Sequence, residues 1–427
     1  MGKLKFIAAL CSAIIAAGCS LTEAEWVKFD DFSDLDQATC FIPYRVEDNC
    51  LDGAKVNSFN LPGGNSVKEC LAEEDNATKA TYTNGANLIR GLMSSFNSST
   101  IKSYCGTYMS RDHEGKPIRL SGRIMVPADG KVSRIMVVSH FTIGNDAEAP
   151  SAELPMEAIY AAKGLAVIES DYIGYGVTRD RIHPYLCSKV TAGNVIDMYY
   201  AALPFLRKIG CTPQYDDIFL LGFSQGGAVN MSVTQELCRN HPDVRIRLSM
   251  CGGGPYDICA TYDTLIEKDF TDYPCAIPMI IQGLCHGMGI DVDYNDYFLP
   301  RMVENLDEWI NSKHHYMADI TALIGSKKIS SIMTESAMRK TSDKMTELYR
   351  AMLDNSATYG GIPTCPMYIF HSIDDNVVPF INAYNMMYTL GDINAIVNIG
   401  HFGTHQISTL RFFLCCIDLL KENGDIR

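Results

Sequence analysis

Along most of the chain, short apolar runs closed by glycine or polar turn residues alternate with longer stretches whose apolar positions recur every three or four residues. Ser133–Ser139, Ile218–Leu221 and Met367–Phe370 are runs of the first kind, and Asn394–Ile399 adds one more near the C-terminus. They are bounded by turn residues and too short for core helices, so they predict buried strands. Val195, Met198, Tyr199, Ala202, Leu203 and Leu206 keep the helical period and predict a helix covering those strands, with Pro204 weakening its end. Alternation of this kind predicts an α/β chain with a mostly parallel central sheet and helices on both faces. Thr107–Ser110 and Leu120–Pro127 predict a hairpin about Glu114 and Gly115 at the start of that region.

The alternation stops after Ile246–Met250 and the glycines at 252–254. For about a hundred residues helical stripes replace it: Met302, Val303, Leu306, Trp309 and Ile310, then Met333, Met338, Met345, Leu348 and Met352. Residues 259–362 are therefore expected to form a helical insertion between two strands, roofing whatever lies at the strand ends. Methionine fills irregular apolar gaps, so these side chains are expected to pack the insertion on the core. The alternative is that some of them line a substrate cavity. Residues 20–104 carry little of the strand-helix rhythm and are expected to be a spacer and an N-terminal wrap. That leaves 105–258 and 363–427 as the two parts of the core.

The strand Ile218–Leu221 runs into Gly222-Phe223-Ser224-Gln225-Gly226-Gly227, followed by a predicted helix. A serine between flanking glycines at a strand-to-helix turn has the form of a nucleophile elbow, in which the tight turn leaves the hydroxyl exposed at the top of the sheet. The helix N-terminus and the backbone N–H of Gln225 suit a developing oxyanion. In an α/β-hydrolase, an acid and then a histidine must follow. Two carboxylates, Asp374 and Asp375, end the strand Met367–Phe370 in a polar turn. Asp375 is the expected acid, because His371, three residues, Asp375, two residues and Val378-Pro379 resemble the acid loop of many α/β-hydrolases. His401 and His405 follow the last predicted strand. His405 opens a predicted final helix from which its ring can turn back over the elbow, so it is the expected base; His401, at the strand end, is the alternative. His140 precedes the serine in chain order and His371 ends the buried strand that delivers Asp375, so both read as structural.

Collinear motifs add a family resemblance. The strand Ser133–Ser139 leads into His140-Phe141-Thr142 and on to Ala149-Pro150-Ser151; then come Tyr160–Ile168, Asp171-Tyr172-Ile173-Gly174-Tyr175-Gly176, His183-Pro184-Tyr185-Leu186 and the elbow. In this order they resemble the secretory lipases of the fungal lipase A type and their bacterial relatives, over residues 105–258 and 363–420. The resemblance implies an α/β-hydrolase fold with an inserted helical cap and a serine lipase or carboxylesterase that needs no cofactor or metal. By position it also implies Thr142 as the loop residue whose N–H joins that of Gln225. Phe141 stands where relatives often have glycine, which is expected to narrow the approach to the site.

Residues 1–19 read as an export signal: a basic start, an apolar stretch from Phe6 to Ala17 and a small-residue close. Ala16-Ala17-Gly18-Cys19 resembles a bacterial lipobox, which makes Cys19 the expected lipid-bearing residue and the cell envelope, at its outer membrane, the expected location. Ordinary cleavage and release is the alternative. Acidic residues outnumber basic ones, 50 to 36, and no basic cluster with interleaved aromatics occurs. This argues against nucleic acid as a partner and disfavours an anionic polymer substrate; a small-molecule or lipid ester is the expected partner, and no protein partner is implied. Sixteen cysteines fit no zinc spacing. Cys40, Cys50 and Cys70 are the better disulfide candidates, whereas Cys238, Cys415 and Cys416 read as thiols on helices. Two other functions use the same residues differently: a serine peptidase on this fold, and a binding lipoprotein without catalysis.

Overall fold

The computed structural model describes residues 19–21, 39–51, 99–391 and 395–426. Residues 1–18 of the expected export signal lie outside them, as do Cys70 and the side chains of Cys19 and Cys50. No helix among the described residues is long and apolar enough to cross a membrane.

Ten strands form one sheet. In chain order they are β1 (Cys19–Leu21), β2 (Ile42–Leu51), β3 (Ser99–Arg111), β4 (Pro117–Pro127), β5 (Arg134–Ser139), β6 (Leu165–Ser170), β7 (Gln214–Phe223), β8 (Arg245–Gly252), β9 (Met367–Ser372) and β10 (Ala395–Gly400), and the spatial order is β1-β2-β3-β4-β6-β5-β7-β8-β9-β10. From β6 to β10 every neighbouring pair is parallel, while β1 to β4 pair antiparallel and β4 joins β6 antiparallel. The inner parallel strands β5 to β9 are buried over most of their length and so read as continuous apolar runs in the sequence, whereas β10, at the sheet edge, departs from the expected buried strand: Ile396 and Val397 are exposed. β3 and β4 form the expected hairpin, in register from Arg111↔Pro117 to Ile101↔Pro127. The stretch expected to be spacer and wrap contributes β1, β2 and the first residues of β3 to this antiparallel end, where no strand-helix rhythm arises because no crossover helix is needed.

Helices α1 (Ala158–Ala162), α2 (Ser188–Lys208) and α3 (Gln225–Asn240) connect the parallel strands. One face of the sheet packs α2 and α3 over residues such as Ile168, Val195, Phe205 and Leu220. The other packs α1 and the C-terminal helix. Pro204 sits inside α2, which nevertheless runs on to Lys208. Proline removes one helical N–H bond, but Phe205 and Leu206 beside it are wholly buried, and that packing keeps the last turn in place.

Between β8 and β9 the chain makes α4 (Ile258–Lys268), α5 (Ala276–Met288), α6 (Pro300–Leu306), α7 (Met317–Ile324), α8 (Glu335–Arg339) and α9 (Asp343–Asn355). They share an apolar cluster of their own that contains Met302, Leu306, Trp309, Ile310, Met333, Met345, Leu348 and Met352. α10 (Ile381–Leu390) and α11 (His405–Glu422) complete the chain.

The cysteines differ in part from expectation. Cys40 is a buried free thiol, because it enters the sheet end beside Phe41 rather than a polar loop. Cys238, Cys415 and Cys416 are free, the last buried and the other two partly so.

Candidate active site

β7 delivers Ser224 between the sheet and α3 with φ 57° and ψ −126°. A non-glycine residue rarely holds such a backbone, and the surrounding structure must over-determine it. Here the N–H of Ser224 donates to Gly252 O at 2.9 Å, and its own carbonyl accepts from Gly227 N at 2.8 Å. Gly226 is required by close approach, since a Cβ there would run into the carbonyl oxygen of Ser139.

His405 is the first residue of α11. Its Nε2 lies 2.8 Å from Ser224 Oγ and its Nδ1 lies 2.6 Å from Asp375 Oδ2. Asp375 Oδ1 accepts from the backbone N–H groups of Val377 at 2.9 Å and Val378 at 2.8 Å. Burial alone would raise the pKa of Asp375, but the charge of and hydrogen bond from His405, the charge of His371 and the Val377 N–H together hold it below the usual carboxylate value. An ionised Asp375 keeps the proton of His405 on Nδ1 and leaves Nε2 as an acceptor toward the serine hydroxyl.

The competing candidates of the same two loops find each other instead. His401 Nδ1 pairs with Asp374 Oδ1 at 2.8 Å, and the His401 side chain is 74% exposed. Neither reaches Ser224. His371, buried, places Nε2 3.0 Å from Val378 O, bracing the loop that carries Asp375, and burial lowers its pKa.

The loop after β5 stands opposite. Thr142 faces the same cavity as Ser224 and His405, and its hydroxyl is 2.7 Å from Tyr185 OH. Gln225 is the first residue of α3, so by position its N–H has no intrahelical partner. The Gln225 side chain donates to His183 Nε2 at 2.7 Å, while His183 Nδ1 donates to Ile173 O at 2.7 Å. Burial lowers the pKa of His183 to about 3, so the neutral ring can accept at one nitrogen and donate at the other. His140 is buried, stacked on Tyr172 with ring centroids 3.9 Å apart, and burial lowers its pKa to about 4. Sequence reasoning missed this layer: His183 and Tyr185 were visible only as a motif of the resemblance, and the partners lie 42 and 43 residues away.

The loop also leans on the helices between β8 and β9. Asp146 N donates to Lys313 O at 2.9 Å, and Asn145 Nδ2 donates to His314 O at 3.0 Å. Within the loop, Glu148 Oε2 accepts from Gly144 N at 3.2 Å and Asn145 N at 3.1 Å. Burial pushes Glu148 up to about 7 in spite of these bonds. A folded-state pKa above the unfolded one means that its neutral form is favoured in the fold; that stability is whole below about 4.5 and is lost as pH rises through about 7. Glu148→Gln keeps an acceptor without the charge, so it is expected to be more stable than the parent at pH 8 by on the order of 1 kcal/mol, allowing for partial exposure, and no more stable at pH 5. Urea unfolding at the two pH values checks this, and an equal effect at both contradicts it.

A cavity of about 200 Å³ joins these groups, walled by Phe141, Leu186, Leu265, Ile280 and Met317 among others. Phe141 is one of the residues that line it. None of the methionines of the two predicted stripes borders this cavity; they pack the helical layer, because the stripe faces inward between helices.

The sequence model of the secretory lipase family matches residues 151–400. No curated protein matches the chain. Among solved structures, the rice cell wall degrading esterase LipA of Xanthomonas oryzae is similar at 20% identity, with 77% of this chain and 92% of that one covered and a TM-score of 0.68. A protein of Legionella pneumophila is similar at 19% identity, 80% and 94% coverage and a TM-score of 0.69. Lipase A of Candida antarctica, in its closed state, gives 15% identity, 71% and 73% coverage and a TM-score of 0.52. At these identities the structures establish the α/β-hydrolase fold.

Proposed function

Because the chain belongs to the secretory lipase family, we propose that it is an exported serine carboxylic-ester hydrolase working through an acyl-enzyme. The observation that carries the reading is the unbroken chain from Ser224 Oγ through His405 to Asp375, with contacts of 2.8 Å and 2.6 Å, at the floor of a mostly apolar cavity. As Ser224 Oγ attacks the ester carbonyl, His405 Nε2 takes its proton and Asp375 stabilises the imidazolium. The N–H groups of Gln225 and Thr142 receive the charge on the carbonyl oxygen. His405 then protonates the departing alcohol, and on the next pass it activates water to release the acid. The buried His183 holds the Gln225 side chain, and Tyr185 holds Thr142, so the two donors need no rearrangement when charge develops.

Residues 105–258 and 363–427 form the catalytic core in this reading, 259–362 a cap over the serine, and 20–104 a spacer and wrap. Residues 1–19 direct export, with Cys19 carrying the lipid that holds the protein to the cell envelope. The family and the apolar cavity support an ester substrate. The direct test is turnover of p-nitrophenyl esters of graded chain length against aminoacyl anilides. Ester turnover without anilide turnover is expected; anilide turnover alone would identify a peptidase and overturn the reading.

A further inference from the structure

Two buried carboxyls border the cavity and take no part in that reaction. Glu169, on β6, is 1% exposed, and Glu157, just before α1, is 3% exposed. Glu169 Oε2 is buried without a hydrogen-bond partner among the described residues. β6 is separated from β7 by β5 alone, so at about 4.8 Å per strand Glu169 sits on a strand roughly 10 Å to the side of the elbow. The cavity that holds Ser224 therefore extends across the end of β5 to a carboxyl with an unused acceptor.

Behind Glu169 the neighbouring strand carries a buried guanidinium. Arg123 on β4 is the cross-strand partner of Glu169 and is wholly buried. Its Nε donates to Pro150 O and its Nη1 to Glu47 and Ser103, while Nη2 is buried without a partner among the described residues. Arg123 is paired with Glu47 rather than with Glu169, and of Arg123 and Glu169 only Glu169 borders the cavity; an unused acceptor there matches a hydroxyl, which can donate to it. A cationic group is disfavoured by the guanidinium. An apolar chain ending there would leave the Glu169 acceptor unpaired, and this is the situation in which a binding site rejects an analogue that lacks the hydroxyl. Burial raises both pKa values, and at Glu169 the charges of Glu157 and Asp171 raise it further, so that a neutral pair tolerates that location.

We propose that Glu169, with Glu157 beside it, forms a specificity-determining subsite for a hydroxyl group carried on the ester, roughly 10 Å from the scissile carbonyl. The proposal rests on the serine-esterase reading of Ser224 and names the substrate class of that site: hydroxylated esters in preference to plain alkyl ones.

The test uses the purified protein on paired substrates. One arm compares p-nitrophenyl hexanoate, octanoate and decanoate with their ω-hydroxy counterparts, and the other compares alkyl acetates with ω-hydroxyalkyl acetates of the same lengths. In one arm the hydroxyl is expected to raise kcat/KM about 10-fold or more. Glu169→Leu should bring that ratio toward one. A ratio near one in both arms for the unaltered protein overturns the proposal, as does a ratio that survives in folded Glu169→Leu. If that variant does not fold, competitive inhibition of the unaltered protein by 1,8-octanediol and by 1-octanol decides, with the diol expected to bind about 10-fold tighter and equal binding overturning the subsite. Plain ester turnover with no hydroxyl preference removes only this inference, whereas no turnover of any ester removes the esterase reading with it.

Discussion

Ser224→Ala is expected to lower kcat/KM for p-nitrophenyl butyrate by roughly 10⁵- to 10⁶-fold, leaving a small residual rate above water. In the proposed mechanism the serine oxygen is the atom that forms the acyl-enzyme, and without it His405 can at best assist a water in a space shaped for a serine oxygen. The residual comes from the donors at Gln225 and Thr142 and from binding, which the substitution leaves in place. Folding should be little affected, since the hydrogen bond of the hydroxyl is to His405, and alanine at φ 57° carries the same strain as serine. Steady-state rates with thermal unfolding as control measure both. Activity within tenfold of the parent would remove Ser224 from the reaction and the proposed mechanism with it.

His405→Ala should cost a similar 10⁵- to 10⁶-fold, because serine and histidine act as one unit and their losses are not additive. Combined with Ser224→Ala, it should therefore add almost nothing. His401→Ala is the internal comparison, expected to change kcat/KM by less than about threefold, because an exposed histidine–aspartate pair contributes little to stability and His401 pairs with Asp374 away from the serine. Asp375→Asn should fall near 10⁴-fold, the loss associated with a wrongly held imidazole tautomer, whereas Asp374→Asn should follow His401→Ala. A large loss in His401→Ala with activity kept in His405→Ala would reverse the assignment of the base.

The elbow was legible because everything it needs is local: an apolar strand, glycines on either side of the serine and a helix start within ten residues. At that level only the expected start of the final helix separated the two histidines, making His405 the expected base and His401 the alternative. They are four residues apart, both after β10, and which of them turns toward Ser224 depends on where α11 begins. Ser372 Oγ accepts from Phe402 N at 3.1 Å and donates to Gly403 O at 2.7 Å, and this tether holds the intervening turn so that His401 faces solvent and His405 the serine. The methionine stripes show the converse. Their period marked helices except at Met333, which forms a bridge with Phe298, but a period states which face is buried and not against what; here it is the helical layer's own cluster and not the cavity. At the antiparallel end, β2 escaped notice because Ile42–Leu51 mixes Arg45, Glu47 and Asp48 with its apolar positions, and partners such as Arg123 and Glu47 meet only after 76 residues of intervening chain.

What the sequence determined by itself is thus the local chemistry and its order: an α/β alternation, a serine on a tight turn, a carboxylate turn and a histidine loop in the succession the fold requires. Propensity, periodicity and turn residues act over a few positions, and a linear chain displays them directly. Only the tertiary structure decided which histidine meets the serine and which aspartate meets that histidine, what braces the loop of Thr142, and that two buried carboxyls border the same cavity. Those facts depend on contacts of about 3 Å between strands and loops far apart in the chain, such as the 2.8 Å from His405 to a serine 181 residues before it, and no local pattern encodes a distance of that kind.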